Sequence, residues 1–234
     1  MSPLRMGKRT TRFLTSSSGR AGRGRAAGTE SSKPNFRGSA GYGRAFAEAG
    51  YRQWGRRMQD DITDGVNALV KDGTINPNRI CIVGASYGGY AALAGGAFTA
   101  DLYKCVISIA GVSDIPMMMA QEEKDHKTDS GAYRYWVRQL GDPRVPAELD
   151  QMKAVSPAMH ADKFKAPVLL IHGDKDDVVR IDQSERMEKA LKDAGKPVEF
   201  VTIKDEGHHF AAEESDIKVM AEISRFVSAH LGAN

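Results

Sequence analysis

The chain has 234 residues, 41% of them hydrophobic and 27% charged, with a formal net charge of +3. That length suits one domain with a substantial core, and no run of about eighteen apolar residues marks a membrane span. The amino-terminal stretch is basic but lacks the apolar segment of a secretory signal, so the default expectation is a cytoplasmic protein without membrane attachment.

Charge is unevenly spread. Residues 1–34 carry eight Lys/Arg against Glu30 alone, a balance of +7, whereas the remaining 200 residues carry 25 basic and 29 acidic side chains, a balance of −4. Residues 1–33 show almost no apolar periodicity and read as a disordered basic segment. A nucleic-acid-binding tail would need aromatic interleaving or a binding fold beside it, and neither is present, so no nucleic-acid partner is expected.

From residue 34 the chain alternates helical and strand-like segments. Residues 55–71 place Met58, Ile62, Val66, Leu69 and Val70 near one helical face. A turn, "DGTINPNR", leads into "ICIVGA", a short apolar run of the kind found in strands buried on both faces. A helix follows over 87–96, then a second buried strand in "CVISIAG". Residues 113–155 are mixed, with helices predicted at 116–124 and 133–140. "PVLLIHG" is a third strand, 183–193 a helix, "PVEFVTI" a fourth strand, and 215–231 a closing helix with Ile217, Met220, Ile223 and Val227 on one face. This alternation predicts an α/β fold with a mostly parallel sheet covered by helices on both faces. Cys81 and Cys105 fall in the first two strands and are expected to be reduced, buried thiols.

The chemistry begins at "GASYG". Ser86 lies between Gly84 and Gly88, after a strand and before a helix, the setting in which a sharp turn presents a serine at a sheet edge as a nucleophile elbow. The Tyr87 N–H, at the helix start, is a candidate oxyanion donor. A nucleophilic serine needs a base, and the base needs an orienting acid. "HGDKDDVV" delivers Asp174, Asp176 and Asp177 after the third strand, and "DEGHHF" delivers His208 and His209 after the fourth. Three strand ends supply the required residue types in the order Ser, Asp, His. Plainer readings stand beside these. The aspartates could be a solvated loop, with Asp182 a helix cap. His208 and His209 near Glu213 and Glu214 could hold a metal. His126, His160 and His230 read as surface or packing residues, and His172 as a local packing residue. Met117–Met119 suit either a pocket wall or core.

Several segments together resemble the catalytic domain of the prolyl oligopeptidase family of serine peptidases, its acylaminoacyl-peptidase/dipeptidyl-peptidase branch in particular: "NFRGSAGYG" (35–43), "QWGRRMQDDITDGVNALV" (53–70), "GASYGGYAAL" (84–93), "SPAMHADKFKAPVLLIHGDKDDVV" (156–179) and "DEGHHF" (205–210). The resemblance covers residues 34–234 and implies an α/β-hydrolase fold lacking its first strands. It also implies a Ser86–Asp176–His208 triad, Tyr87 N–H as oxyanion donor, no metal or cofactor, and short peptides as substrates. His209 and Arg180 depart from the family pattern without touching a triad position. The family's β-propeller, its first hydrolase strands and the loop supplying a second oxyanion donor have no counterpart here, which leads us to expect poor solubility and weak or absent activity. Read in an alternative register, codons permitted for residues 24–33 can spell Ala-Ser-Arg-Gly-Tyr-Arg-Val-Leu-Gln, a family-like segment; with codons chosen to fit, this suggests an out-of-frame origin for residues 1–33. The competing functions are a small esterase of the dienelactone-hydrolase kind and an inactive fragment.

Overall fold

The computed structural model describes residues 10–15, 22–26 and 29–232. Seven strands form one sheet: β1 (Thr10–Thr15), β2 (Gly22–Ala26), β3 (Thr29–Lys33), β4 (Ile80–Ala85), β5 (Cys105–Ile109), β6 (Val168–Gly173) and β7 (Val198–Ile203), in the spatial order β2-β3-β1-β4-β5-β6-β7. The helices are α1 (Arg44–Glu48), α2 (Arg57–Lys71), α3 (Tyr87–Phe98), α4 (Ile115–Asp125), α5 (Gly131–Leu140), α6 (Pro146–Ala154), α7 (Asp182–Asp193) and α8 (Glu213–Leu231), with a 3-10 segment over Pro157–Lys163. Strands β4 to β7 are all parallel. This is the predicted α/β-hydrolase architecture, except that strands β1, β2 and β3 stand beside β4 where the first strands were expected to be missing, and among the described residues no helix is long and apolar enough to cross a membrane.

Side chains alternate between the two faces of the sheet, as the pleat requires. Ile80, Ile82, Val106, Val168 and Leu170 join the core formed with α2, α3 and α7. Cys81, Val83, Cys105, Ile107, Leu169 and Ile171 face α8, which contributes Val219, Ile223, Phe226, Val227 and Leu231. Helix α3 is buried almost throughout. Its glycines make that possible: a Cβ on Gly96 would lie 2.5 Å from the Phe164 ring. Two side-chain caps set the helices between β5 and β6. Asp114 accepts the Met117 N–H at the start of α4, and Ser130 accepts the Tyr133 N–H at the start of α5.

Three expectations are corrected. Cys81 and Cys105 are bonded as a disulfide. The register pairs them directly across β4 and β5, on one face with Cα atoms 4.7 Å apart, inside the span a disulfide bridges. Ile217 and Met220, expected inward, are exposed on α8, because the buried stripe runs through 219, 223, 226/227 and 231 and leaves them on the outer side. Residues 1–33, expected to be disordered, contain three strands. β1 pairs parallel with β4 and with β3, and β2 pairs antiparallel with β3. The physical reason is the edge of β4: its backbone donors and acceptors need a partner, and ladder pairing is made by main-chain groups whatever the side chains.

Candidate active site

Each of the three chemical groups projects from beyond the carboxyl end of a parallel strand, so the parallel topology gathers them at one edge of the sheet. β4 ends at Ala85 and α3 begins at Tyr87, which leaves Ser86 to make the whole turn with φ 56° and ψ −122°. A non-glycine residue in this region is strained and must be held there. Two hydrogen bonds hold it: the Ser86 N–H donates to the Ile109 carbonyl at 2.9 Å, and the Ser86 carbonyl accepts the Tyr90 N–H at 3.1 Å. The Tyr87 N–H lies ahead of that first bond of the helix, where amides have no partner within the helix.

The tightest backbone approach beneath the turn involves a residue that sequence reasoning passed over. A Cβ on Gly89 would sit 2.7 Å from the Gly111 Cα, and one on Gly111 would sit 2.2 Å from Ser108 Oγ. Gly89, the second glycine of the "GG" pair, lets α3 descend onto the end of β5.

His208 Nε2 lies 2.9 Å from Ser86 Oγ, and its Nδ1 lies 2.8 Å from Asp176 Oδ2. Asp174 and Asp177, the other two candidates, are exposed. Asp174 instead accepts the Asp205 N–H. Asp176 is buried, and its other oxygen accepts the N–H groups of Val178 (3.0 Å) and Val179 (2.9 Å). Burial alone pushes this carboxyl up. Hydrogen bonds from His172, His208 and the Val179 amide outweigh it and hold the group well below the ordinary aspartate value. A depressed folded-state pKa gives a stabilisation fully present above about pH 4 and lost as pH falls through the folded value. The urea midpoint of the protein is therefore expected to fall on acidification below about pH 4, and the Asp176→Asn variant to show a shallower decline over the same range.

The two loops that carry Asp176 and His208 are fastened to each other. The Lys175 N–H donates to the Glu206 carbonyl and the Asp174 N–H to the Ile203 carbonyl. Gly173 is required at the crossing, since a Cβ there would fall 2.3 Å from the Glu206 carbonyl oxygen. The Glu206 carboxylate closes the histidine loop by accepting the Ala211 and Ala212 N–H groups. Bonds to Ser215 and these amides hold it below the usual glutamate range. Its acidic side chain within "DEGHHF" was the signal for this role.

His172, read from sequence as a packing residue, is fully buried and lies 3.3 Å from Asp176 Oδ2. His209 is exposed, with its ring 5.3 Å from that of His208. Both ring nitrogens of His208 are engaged by Ser86 and Asp176, which leaves none for a metal shared with His209, Glu213 and Glu214. Among the described residues no group of three or more His, Cys, Asp or Glu is placed to hold a metal ion. Asp182 is the first residue of α7 and makes no side-chain cap.

A cavity of about 510 Å³ opens beside Ser86 and Tyr87. Its floor is aromatic: the Tyr87 ring packs on Phe36 (5.0 Å) and edge-on to Trp54 (4.6 Å). Phe36 is fixed by its neighbour Arg37, whose guanidinium and backbone N–H both bond Asp61 of α2, which explains the "NFRGS" stretch. Helix α4 forms one wall with Met117, Met118, Glu122 and Asp125. Both readings of the methionine run hold in part, because Met119 is in the core.

The family pattern described as the prolyl oligopeptidase family matches residues 25–234. A dipeptidyl aminopeptidase BIII from Pseudoxanthomonas mexicana is 35% identical over 205 residues, 85% of this chain and 28% of the relative. The structure of a puromycin-hydrolyzing peptidase from Mycobacterium tuberculosis superposes with a TM-score of 0.84 at 30% identity, covering 100% of this chain and 36% of that one. An acylaminoacyl peptidase from Pyrococcus horikoshii gives 0.83 at 25% identity, with 100% of this chain and 39% of that one covered. The chain therefore spans well under half the length of each of these three proteins.

Proposed function

Because the chain belongs to the prolyl oligopeptidase family, we propose that it is a serine peptidase catalytic domain that cleaves short peptides by acyl transfer. The single observation that carries this reading is the unbroken sequence of bonds from Ser86 Oγ through His208 to Asp176. His208 Nε2 takes the hydroxyl proton as Ser86 Oγ attacks the scissile carbonyl carbon. Asp176 holds the Nδ1–H tautomer and stabilises the imidazolium. The carbonyl oxygen, now an anion, is met by the Tyr87 N–H at the start of α3, a donor of a kind that lowers the barrier by about 3 kcal/mol. The imidazolium returns its proton to the leaving amine. Water, activated by the same histidine, then releases the acyl group from Ser86.

The test is fluorophosphonate labelling of the purified chain with a Ser86→Ala control, followed by turnover of matched aminoacyl esters and aminoacyl nitroanilides. Labelling confined to Ser86, with nitroanilide cleavage, is the expected result. Ester cleavage without amide cleavage would replace the peptidase by an esterase, and a soluble chain that is not labelled would remove both.

The cavity also carries a charge imbalance. Glu122, Asp125, Asp177 and Asp182 line it against Arg180, whose guanidinium is already paired with Asp125 at 2.9 Å. A low-dielectric cleft of one sign concentrates ligands of the other. Substrates with a lysine or arginine side chain are expected to show kcat/KM several-fold above neutral analogues of equal length at low salt, with the advantage shrinking as salt is raised. A ratio that does not change with salt would separate the preference from these carboxylates.

A further inference from the structure

We infer that His172 is a positioning residue for the catalytic reaction, acting through Asp176. The inference rests on the serine-peptidase reading for its functional meaning, and on geometry for its content. His172 stands in β6, with its side chain fully buried. Its Nε2 is 2.7 Å from the Val179 carbonyl oxygen and its Nδ1 is 2.7 Å from Ser184 Oγ. A carbonyl oxygen only accepts, so Nε2 carries the proton. In the neutral ring Nδ1 is then the acceptor of the Ser184 hydroxyl. The tautomer follows from its neighbours.

The same Nε2–H faces Asp176 Oδ2 at 3.3 Å, on the oxygen that accepts from His208. Residue 179 is thus gripped at both ends. Its carbonyl is held by His172, and its amide donates to Asp176 Oδ1 together with that of Val178. Three donors hold the carboxylate, two amides on Oδ1 and His208 on Oδ2, while the one Nε2 proton of His172 goes first to the Val179 carbonyl at 2.7 Å and only secondarily faces Oδ2 at 3.3 Å. By holding the Val179 carbonyl, His172 fixes the residue whose amide pins Oδ1, and so keeps Oδ2 turned toward His208. His172 also ties β6, the aspartate loop and α7 at one point, because Ser184 belongs to α7. Supporting bonds behind a reacting group hold it within the fraction of an ångström that catalysis requires.

The experiment uses the full chain with ¹⁵N-labelled histidine, reading the low-field Nδ1–H proton of His208 by NMR and, separately, the rate of fluorophosphonate labelling. His172→Gln keeps an N–H near the Nε2 position, and His172→Leu removes it at similar volume. The wild type and His172→Gln are expected to show the resonance, and His172→Leu to lose it and to label about 10- to 100-fold more slowly, the usual cost of removing an outer supporting partner. In an Asp176→Ala background, His172→Leu is expected to cost nothing further, because the two act in series. Persistence of the resonance in His172→Leu, its absence from the wild type, or an equal labelling loss in both backgrounds would overturn the assignment. If His172→Leu does not fold, Ser184→Ala decides: a weakened resonance supports the assignment, and an unchanged one overturns it. A wild type that shows the resonance but is not labelled overturns the peptidase reading and leaves the positioning role standing.

Discussion

Replacing His208 by alanine is expected to slow turnover of an aminoacyl nitroanilide by roughly a millionfold, and adding Ser86→Ala to that variant should lower the turnover no further. The expectation follows from the bond sequence itself. Ser86 Oγ is only 2.9 Å from His208 Nε2, and no other base among the described residues bonds it. Without the imidazole, the hydroxyl keeps its ordinary, weakly nucleophilic character. Asp176→Ala should fall short of that loss, by about four to five orders of magnitude, since the base survives but loses its orientation. Stopped-assay turnover of an aminoacyl nitroanilide measures all three, with labelling rate as a second readout for the two variants that keep Ser86. Independent, multiplying losses in the double variant would show that the residues do not act as one unit.

The second large effect is on stability. Gly111→Val is expected to destabilise the chain by about 3 kcal/mol or more, and to slow labelling of Ser86 in whatever fraction remains folded. A Cβ at this position would lie 2.2 Å from Ser108 Oγ and 2.6 Å from the Gly89 carbonyl carbon. The second contact is with backbone at the first turn of α3, which cannot rotate away. Relief requires α3 to lift from the end of β5, and the Ser86 N–H bond to the Ile109 carbonyl lies in that same contact. Urea unfolding of the variant, beside Gly131→Ala in a position with open space around it, gives the comparison. Equal midpoints for the two would show that the close approach costs nothing.

Much of this was readable from residue order because it depends on local pattern. The buried strands announced themselves as unbroken apolar runs, and the three strand ends carried Ser86, Asp176 and His208 in order. Helices α2 and α7 were found because their polar faces are clean. What was missed depends on contacts between distant segments. Nothing in "ICIVGA" or "CVISIAG" says that their cysteines share a register, and that pairing makes the disulfide. His172 looks like any buried histidine until the loop at 174–181 folds back over it. Ile217 and Met220 fit a helical period as well as Val219 does, and only the position of the sheet decides which stripe turns inward. The strands within residues 1–33 lack any apolar alternation; they form against an edge that exists only once β4 is in place. Short helices such as α1 and α6 carry no side-chain cap and no strong period, so they left no trace.

The chain makes its longest detour between β5 and β6, where α4, α5 and α6 intervene before the sheet resumes. That detour furnishes a wall of the cavity through Met117, Met118 and Glu122, yet it contributes none of Ser86, Asp176 or His208. Part of the cavity wall is therefore written in a stretch of polypeptide separate from the three reacting groups. Residues 115–154 form a cassette: exchanged as a block between two points already fixed by the sheet, they could retune which side chain is admitted while the reacting atoms stay where β4, β6 and β7 leave them. A library confined to its cavity-facing positions, such as Met117 and Glu122, samples new linings while Met119, Tyr133 and Met152 keep their places in the core and Ser86, Asp176 and His208 stay unaltered.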